Sequence, residues 1–415
     1  MSPGRWAGPS HRPPERPFAH PRGRSRRRAW ASVLVLAWCV AAACTSAPAG
    51  PAETTSRGPS VLPPSAQIPA TEVTPDWREV ALRDGVLPVT AVVAGTSLLV
   101  GGYAPDAAVR PRLLLVEEGS VTRDVPARPG AGSPYAPLAR WTSLATDGRR
   151  VVAVGGAPGG AHANTRWTTW EGDLAEIRER PQSFYAFGGW GAGGLVGAAI
   201  TPAGPVLAGS WEGAAGLDAA LWTLDSRRRW VRRDSAATPL ASTATELAGV
   251  SGVTAAGDGV LVAGSVTHLR PGSVQRAPAV WRTRSGADGA ARVDLPEGGS
   301  VGEATGADCD PSGCVVLGRV DDRGAWWWAP GSGPALRLAA PDAPAPTGAP
   351  APAPALRGDR LAVAAGDRVF LRTGGRWASL ATPAAPVREV HLRAGGIDVI
   401  AGDAASPGLW TTTLP

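Results

Sequence analysis

The chain has 415 residues, with 41 basic and 35 acidic side chains, a formal net charge of +6 and 44% hydrophobic residues. The basic excess is local: residues 1–43 hold eight arginines and one glutamate, which leaves 33 arginines against 34 acidic residues in the rest, a net of −1. A nearly neutral body lacks the basic footprint that nucleic-acid binding requires, so that partner class is excluded; every basic residue is Arg, and the wealth of Ala, Gly and Pro reads as GC-rich coding rather than function.

In chain order, Arg22, Arg24, Arg26, Arg27 and Arg28 crowd before an apolar run at residues 29–43. Basic, then apolar, then small residues is the layout of a secretory signal. The run falls short of the roughly 20 residues that a membrane-spanning helix needs. It ends Val40-Ala41-Ala42-Ala43-Cys44. This resembles the bacterial lipobox, with Ala41 where Leu is usual. The resemblance implies a signal peptide at 1–43, a lipid (palmitate-type) on Cys44 and residence at the extracytoplasmic face of the cell membrane. Two acyl chains suffice for stable anchoring. The other reading is an ordinary signal cut at one of the alanines, giving a free secreted protein. Ser25-Arg26-Arg27-Arg28 resembles a twin-arginine core, but Ala29 and Trp30 follow where a more apolar pair is typical, so both export routes stay open.

Residues 44–75 are rich in Pro, Ser, Thr and Ala and read as a semi-extended tether. Residues 76–415 form the body. There a short apolar run closed by Gly recurs, at Gly101, Gly155, Gly209, Gly264 and Gly318, spaced 54, 54, 55 and 54 residues apart. Two shorter units follow at 361–364 and 397–402. Turn sequences precede each run. A second apolar segment follows, often with Trp (Trp167, Trp222, Trp281, Trp327, Trp410), and then a last short strand. Nothing sustains helical periodicity. Four-strand units repeated in this way predict an all-β fold, a β-propeller of seven four-stranded blades. The blades begin near Leu87, Arg140, Leu195, Leu247, Gly302, Pro354 and Val387. A solenoid shares the period but leaves raw edges. Closure is favoured because the last unit lacks its fourth strand. Trp77-Arg78-Glu79-Val80-Ala81-Leu82 has the form of that strand and would complete the last blade. The units resemble Asp-box (BNR) and WD-repeat-like propellers over nearly all of the body. The Asp-box motif itself survives only as fragments, at Leu224-Asp225-Ser226 to Trp230 and at Ser285-Gly286 to Asp288-Gly289.

Cys309 and Cys314 flank the turn Asp310-Pro311-Ser312-Gly313 and predict a disulfide across a hairpin in an oxidising compartment. The rival, half of a zinc site, lacks a second ligand pair. No metal or cofactor is expected. Asp-box propellers include sialidases, so a divergent exported glycosidase or lyase is the alternative function. That family's Arg-Ile-Pro motif is absent, and only Tyr103, Tyr135 and Tyr185 could serve as its tyrosine nucleophile. His162, His268 and His391 are dispersed and read as surface or loop histidines. Arg357-Gly358-Asp359 reads as a turn. The first expectation is a tethered, monomeric binding or scaffold module for a protein, peptide or cell-envelope glycan. Its face would be built from interblade connections and loops between second and third strands, through Tyr135, Tyr185, Phe187, Trp190, Trp211, His162 and Arg270, with Phe184, Arg110, Arg112, Arg166, Glu212 and Arg276 beside them.

Overall fold

A computed structural model describes residues 68–159, 164–296, 298–346 and 352–414. Cys44, the signal region, most of the tether and His162 lie outside the described residues. The body is seven sheets in a ring, each with four strands in sequential antiparallel order. Blades 1 to 6 span 87–124, 140–179, 192–232, 246–294, 302–337 and 355–381. Blade 7 takes three strands from 387–413 and its fourth, Arg78–Glu79, from the other end of the chain. Arg78 pairs with Thr411 and Glu79 with Trp410, antiparallel, as the sequence predicts for ring closure.

The apolar runs are continuous rather than alternating because each sheet is covered on both faces. Successive side chains of a strand point to opposite faces. In blade 4, Leu261 and Ala263 pack against Val316 and Trp327 of blade 5, whereas Val260 and Val262 pack against Ala208 and Leu221 of blade 3. Each of the seven interblade seams has its own buried cluster. The closing seam is no exception, with Ile400 and Leu409 of blade 7 packed on Leu98, Val100 and Leu114 of blade 1.

The repeated glycine has a steric cause. In six blades the innermost strand carries a β-bulge, which falls between Trp141 and Ser143, Leu195 and Gly197, Val250 and Gly252, and Ala304 and Gly306 in blades 2 to 5. The residue before the bulge faces the glycine of the second strand, and the carbonyl preceding that residue presses on it. A Cβ at Gly209, Gly264 or Gly318 would stand 2.2, 1.9 or 2.0 Å from that oxygen. In blade 1 the bulge sets Pro88 opposite Gly102, so the structural equivalent there is Gly102 rather than Gly101.

The repeated tryptophan also resolves. Trp222, Trp281, Trp327 and Trp410 hold one register position in the third strands. In blade 2 that position is Trp170, paired with Ala153, and Trp167 lies three residues nearer the loop. Three of the indoles reach back to the preceding interblade connection. Trp222, Trp281 and Trp327 donate from Nε1 to the carbonyls of Ala186, Pro239 and Pro296 at 3.0, 2.8 and 2.7 Å. The third strand thereby pins the loop that leads into its own blade.

Blades 2 and 6 gain a fifth, parallel strand. In blade 6 it is Thr71–Val73, paired with residues 378–380 of the fourth strand, while Ile68 and Ala70 pack on the seam between blades 5 and 6. Residues 68–75, which composition assigns to the tether, therefore contribute to the ring.

The disulfide forms as expected, across the first hairpin of blade 5, with Cys309 and Cys314 directly paired and their Cα atoms 4.0 Å apart. Arg357, Gly358 and Asp359 form the tight turn between the first two strands of blade 6, with Gly358 at φ 62°.

Candidate functional site: the loop-rich end of the ring

In this strand order the turns between first and second strands share one end of the ring with those between third and fourth. The interblade connections share the other end with the loops between second and third strands. The first end is tightly turned. Asp147 Oδ1 accepts the backbone N–H of Arg149 at 3.0 Å and of Arg150 at 2.7 Å. Asp225 Oδ1 does the same for Arg227 and Arg229 at 2.9 and 2.8 Å. Both carboxyls sit below the usual range. For Asp147, burial opposes ionisation and the N–H bonds from Arg150 and Arg149 outweigh it. For Asp225, the backbone bond from Arg229 leads.

The second end holds the exposed apolar side chains. Among the described residues ten large hydrophobics are exposed. Eight of them belong to this end: Val109, Leu138, Phe184, Tyr185, Trp190, Leu217, Val274 and Val301. The other two, Val231 and Leu336, lie on outermost strands.

The densest group stands between blades 2 and 3. Ser183 caps a single helical turn, Phe184–Phe187, its Oγ accepting from the N–H of Tyr185 at 3.4 Å. Phe187 is the anchor, 7% exposed and edge-on to Trp222 at 5.9 Å between centroids. The sequence places Phe187 on the binding face; the structure places it in the seam, because the turn needs one apolar side chain to dock. With Phe187 fixed and Trp222 bonded to Ala186, the neighbours are held outward. Phe184 is 51% exposed, Tyr185 76% and Trp190 fully exposed. Phe184 and Tyr185 meet edge to face at 5.4 Å. Trp211 is half-buried, between Trp222 at 6.2 Å and the guanidinium of Arg232, 4.9 Å above its ring. Tyr135 is half-buried against Gly159, and Arg270 is exposed, two blades away from Tyr135 on blade 4. Arg112 and Arg276 are held in ion pairs, with Asp124 at 2.6 Å and Glu303 at 3.2 Å.

The axis of the ring encloses a cavity of about 460 Å³. Its wall is mostly Ala, Gly, Ser, Thr and Val from the innermost strands, with polar side chains from blades 5 to 7. His391 is one of these. It is a half-buried channel residue whose Nε2 lies 3.1 Å from Glu389 Oε2, not a loop histidine. His268, likewise on a strand, sits 3.3 Å from Glu246. Sequence inspection misses the His391–Glu389 pair because no motif marks it; the clue is that residues two apart on a strand share a face. The channel carboxylates serve the ring. Glu389 Oε2 accepts the N–H of Ala91 in blade 1 at 2.7 Å, and Asp308 Oδ2 accepts that of Leu356 in blade 6 at 2.8 Å. Ser143 Oγ repeats the device toward Ala198 of blade 3 at 3.1 Å. Burial pushes the Asp308 carboxyl up to about 6, against the bonds from Leu356 and Cys309. Among the described residues no cluster of His, Cys, Asp and Glu could hold a metal ion.

No protein-family model matches the chain, and no curated protein matches it. Solved structures similar to it include YCF48 bound to a D1 peptide, at 11% identity and a TM-score of 0.44 over 85% of this chain and 99% of that one. The β-propeller domain of the Trilobed protease from Pyrococcus furiosus is similar at 8% identity and a TM-score of 0.48, over 79% of this chain and 95% of that one. These are likenesses of architecture.

Proposed function

We propose that the protein is an exported, membrane-tethered binding module. It is anchored through lipid on Cys44 and recognises its ligand with the loop-rich end of the ring. One observation carries the recognition reading: eight of the ten exposed large apolar side chains gather at that end, with Tyr185 and Trp190 held outward by the buried Phe187. Soluble domains scatter single apolar residues over their surfaces, whereas a gathering of aromatics on pinned loops is the composition of a contact surface. The anchor reading rests on the basic, apolar and small-residue order that ends at Cys44.

Two experiments test the two halves. Affinity capture from intact cells is run with the wild type and with a Tyr185→Ala/Trp190→Ala variant; loss of partners from the variant is expected, and identical partner lists overturn the face. Detergent-phase partitioning is expected for the wild type. A Cys44→Ser variant that still enters the detergent phase overturns the anchor.

A further inference from the structure

The loops over blades 1 and 2 hold a second chemistry beside the aromatics. Tyr103 ends the second strand of blade 1, and the Arg140 guanidinium lies 4.0 Å from its ring centroid. Its hydrogen bond from Arg140, aided by Arg110 and opposed by burial, holds the phenol below the ordinary tyrosine range. Arg140 and Arg166 rise from the same end of blade 2, where Arg140 pairs with Gly156 and Arg166 with Ala157. The Arg166 guanidinium lies 4.8 Å over the ring of Phe184. Its stem and Tyr135 share the space over Gly159, where a Cβ would stand 2.6 Å from Arg166 Cγ and 2.5 Å from Tyr135 Cε1. Glycine there lets both side chains lie on the backbone.

Three arginines thus border the connection at residues 135–140, Arg110 through its N–H to the Pro137 carbonyl, Arg140 at its end and Arg166 beside Tyr135, and among the described residues none has a carboxylate within 4.0 Å. Arg110 Nε is buried without an acceptor. The contrast with neighbours is local. Arg112, two residues from Arg110, is neutralised by Asp124 at 2.6 Å. A buried donor without a partner is costly, and stacked guanidinia offer planar forks that match carboxylates.

We propose that Arg110, Arg140 and Arg166 are the anion-recognition centre of this end, and that they take the carboxylates of an acidic segment of a protein partner. This rests on the binding reading above and gives it a ligand class. A protein fits better than an anionic glycan because of the aliphatic rim. Val109 and Leu138 are exposed on either side of the backbone bond from Arg110 N–H to the Pro137 carbonyl, 2.8 Å. A sugar polymer would stack on the rings but leave those aliphatic groups wet; a peptide supplies both carboxylates and apolar side chains.

The test uses the full mature chain and three labelled probes: a short peptide alternating Glu and Leu, its Gln counterpart, and an oligogalacturonate. The Glu peptide is expected to bind the wild type, more weakly as salt rises. An Arg110→Gln/Arg140→Gln/Arg166→Gln variant is expected to lose about tenfold or more of that affinity. The corresponding Lys variant should keep part of it, and it serves as the readout if the Gln variant fails to fold. Equal binding of the Glu and Gln peptides, or unchanged binding by the variants, overturns the proposal. Preference for the oligogalacturonate overturns the protein assignment. If capture from cells fails with Tyr185→Ala/Trp190→Ala but is complete with the arginine variants, the binding face stands and the arginine centre falls.

Discussion

The two ends of the ring are made from the same strands and differ in what joins them. At one end, aspartates such as Asp147, Asp225 and Asp310 fold the chain back by accepting backbone N–H groups, and the turns are short. At the other, connections are long, are pinned from below by Trp222, Trp281 and Trp327, and carry aromatic and arginine side chains outward. Local hydrogen bonding closes the hairpins at the first end; tertiary packing shapes the loops at the second. A turn that satisfies itself has little left for a ligand. A loop held by one buried side chain leaves the rest free, so recognition belongs to the second end.

The largest expected effect tests the frame that both ends share. Gly264→Ala drives a Cβ against the Gly249 carbonyl, 1.9 Å away, and should cost on the order of 2–4 kcal/mol in urea unfolding. A neutral result would mean that the bulge carries no steric demand. Phe187→Ala should follow, at roughly 2–4 kcal/mol, because it empties a docked site. It should also open residues 183–190 to limited proteolysis while the turns at the opposite end stay protected; equal cleavage at both ends would mean that the two ends are held alike.

Proton linkage separates two aspartates near the tight end. Asp147 is depressed, so its stabilisation is present above the unfolded carboxylate value and lost as pH falls through its folded value. Asp308 is raised to about 6, so the folded ring takes up the proton more readily than the unfolded chain. Its contribution is therefore full at pH values below the ordinary Asp range and declines as pH rises toward 6. Thermal unfolding should show that fall between about pH 4 and 6, and Asp308→Asn should flatten it; an unchanged slope would mean that another group is responsible. Asp147→Ala removes two backbone hydrogen bonds and should cost about 1 kcal/mol in thermal unfolding at neutral pH. Smallest is Tyr185→Ala/Trp190→Ala, which should leave stability within about 0.5 kcal/mol while capture fails. A large loss of stability there would make those rings structural.

Much of this was legible in the sequence, for a physical reason. A glycine opposite the residue before the bulge in blades 2 to 5 leaves a period, and so do the tryptophans of the third strand. The closing strand was legible because Trp77 to Leu82 supplies the pattern the last unit lacks. Three things were hidden. Thr71–Val73 looks like spacer, since a parallel edge strand of three residues needs no apolar pattern. Phe187 is indistinguishable by type from Phe184 three residues earlier; only the turn decides which of the two docks. Arg110, Arg140 and Arg166 come from a loop and two different strands, and nothing in their spacing shows that they border one connection.

Arg78 and Glu79 lie across from the strand that ends at Thr413, and this gives the ring an order in time. Arg78–Glu79 has no partner until Gly408–Thr413, at the far side of the body, is available. Until then blade 7 is incomplete, and the faces of blades 1 and 7 that meet at the seam are bare. Those surfaces stay open to other chains until Gly408–Thr413 arrives. A chain interrupted before that strand would therefore lose two seams rather than one strand, because Leu409 packs toward blade 1 and Trp410 toward blade 6.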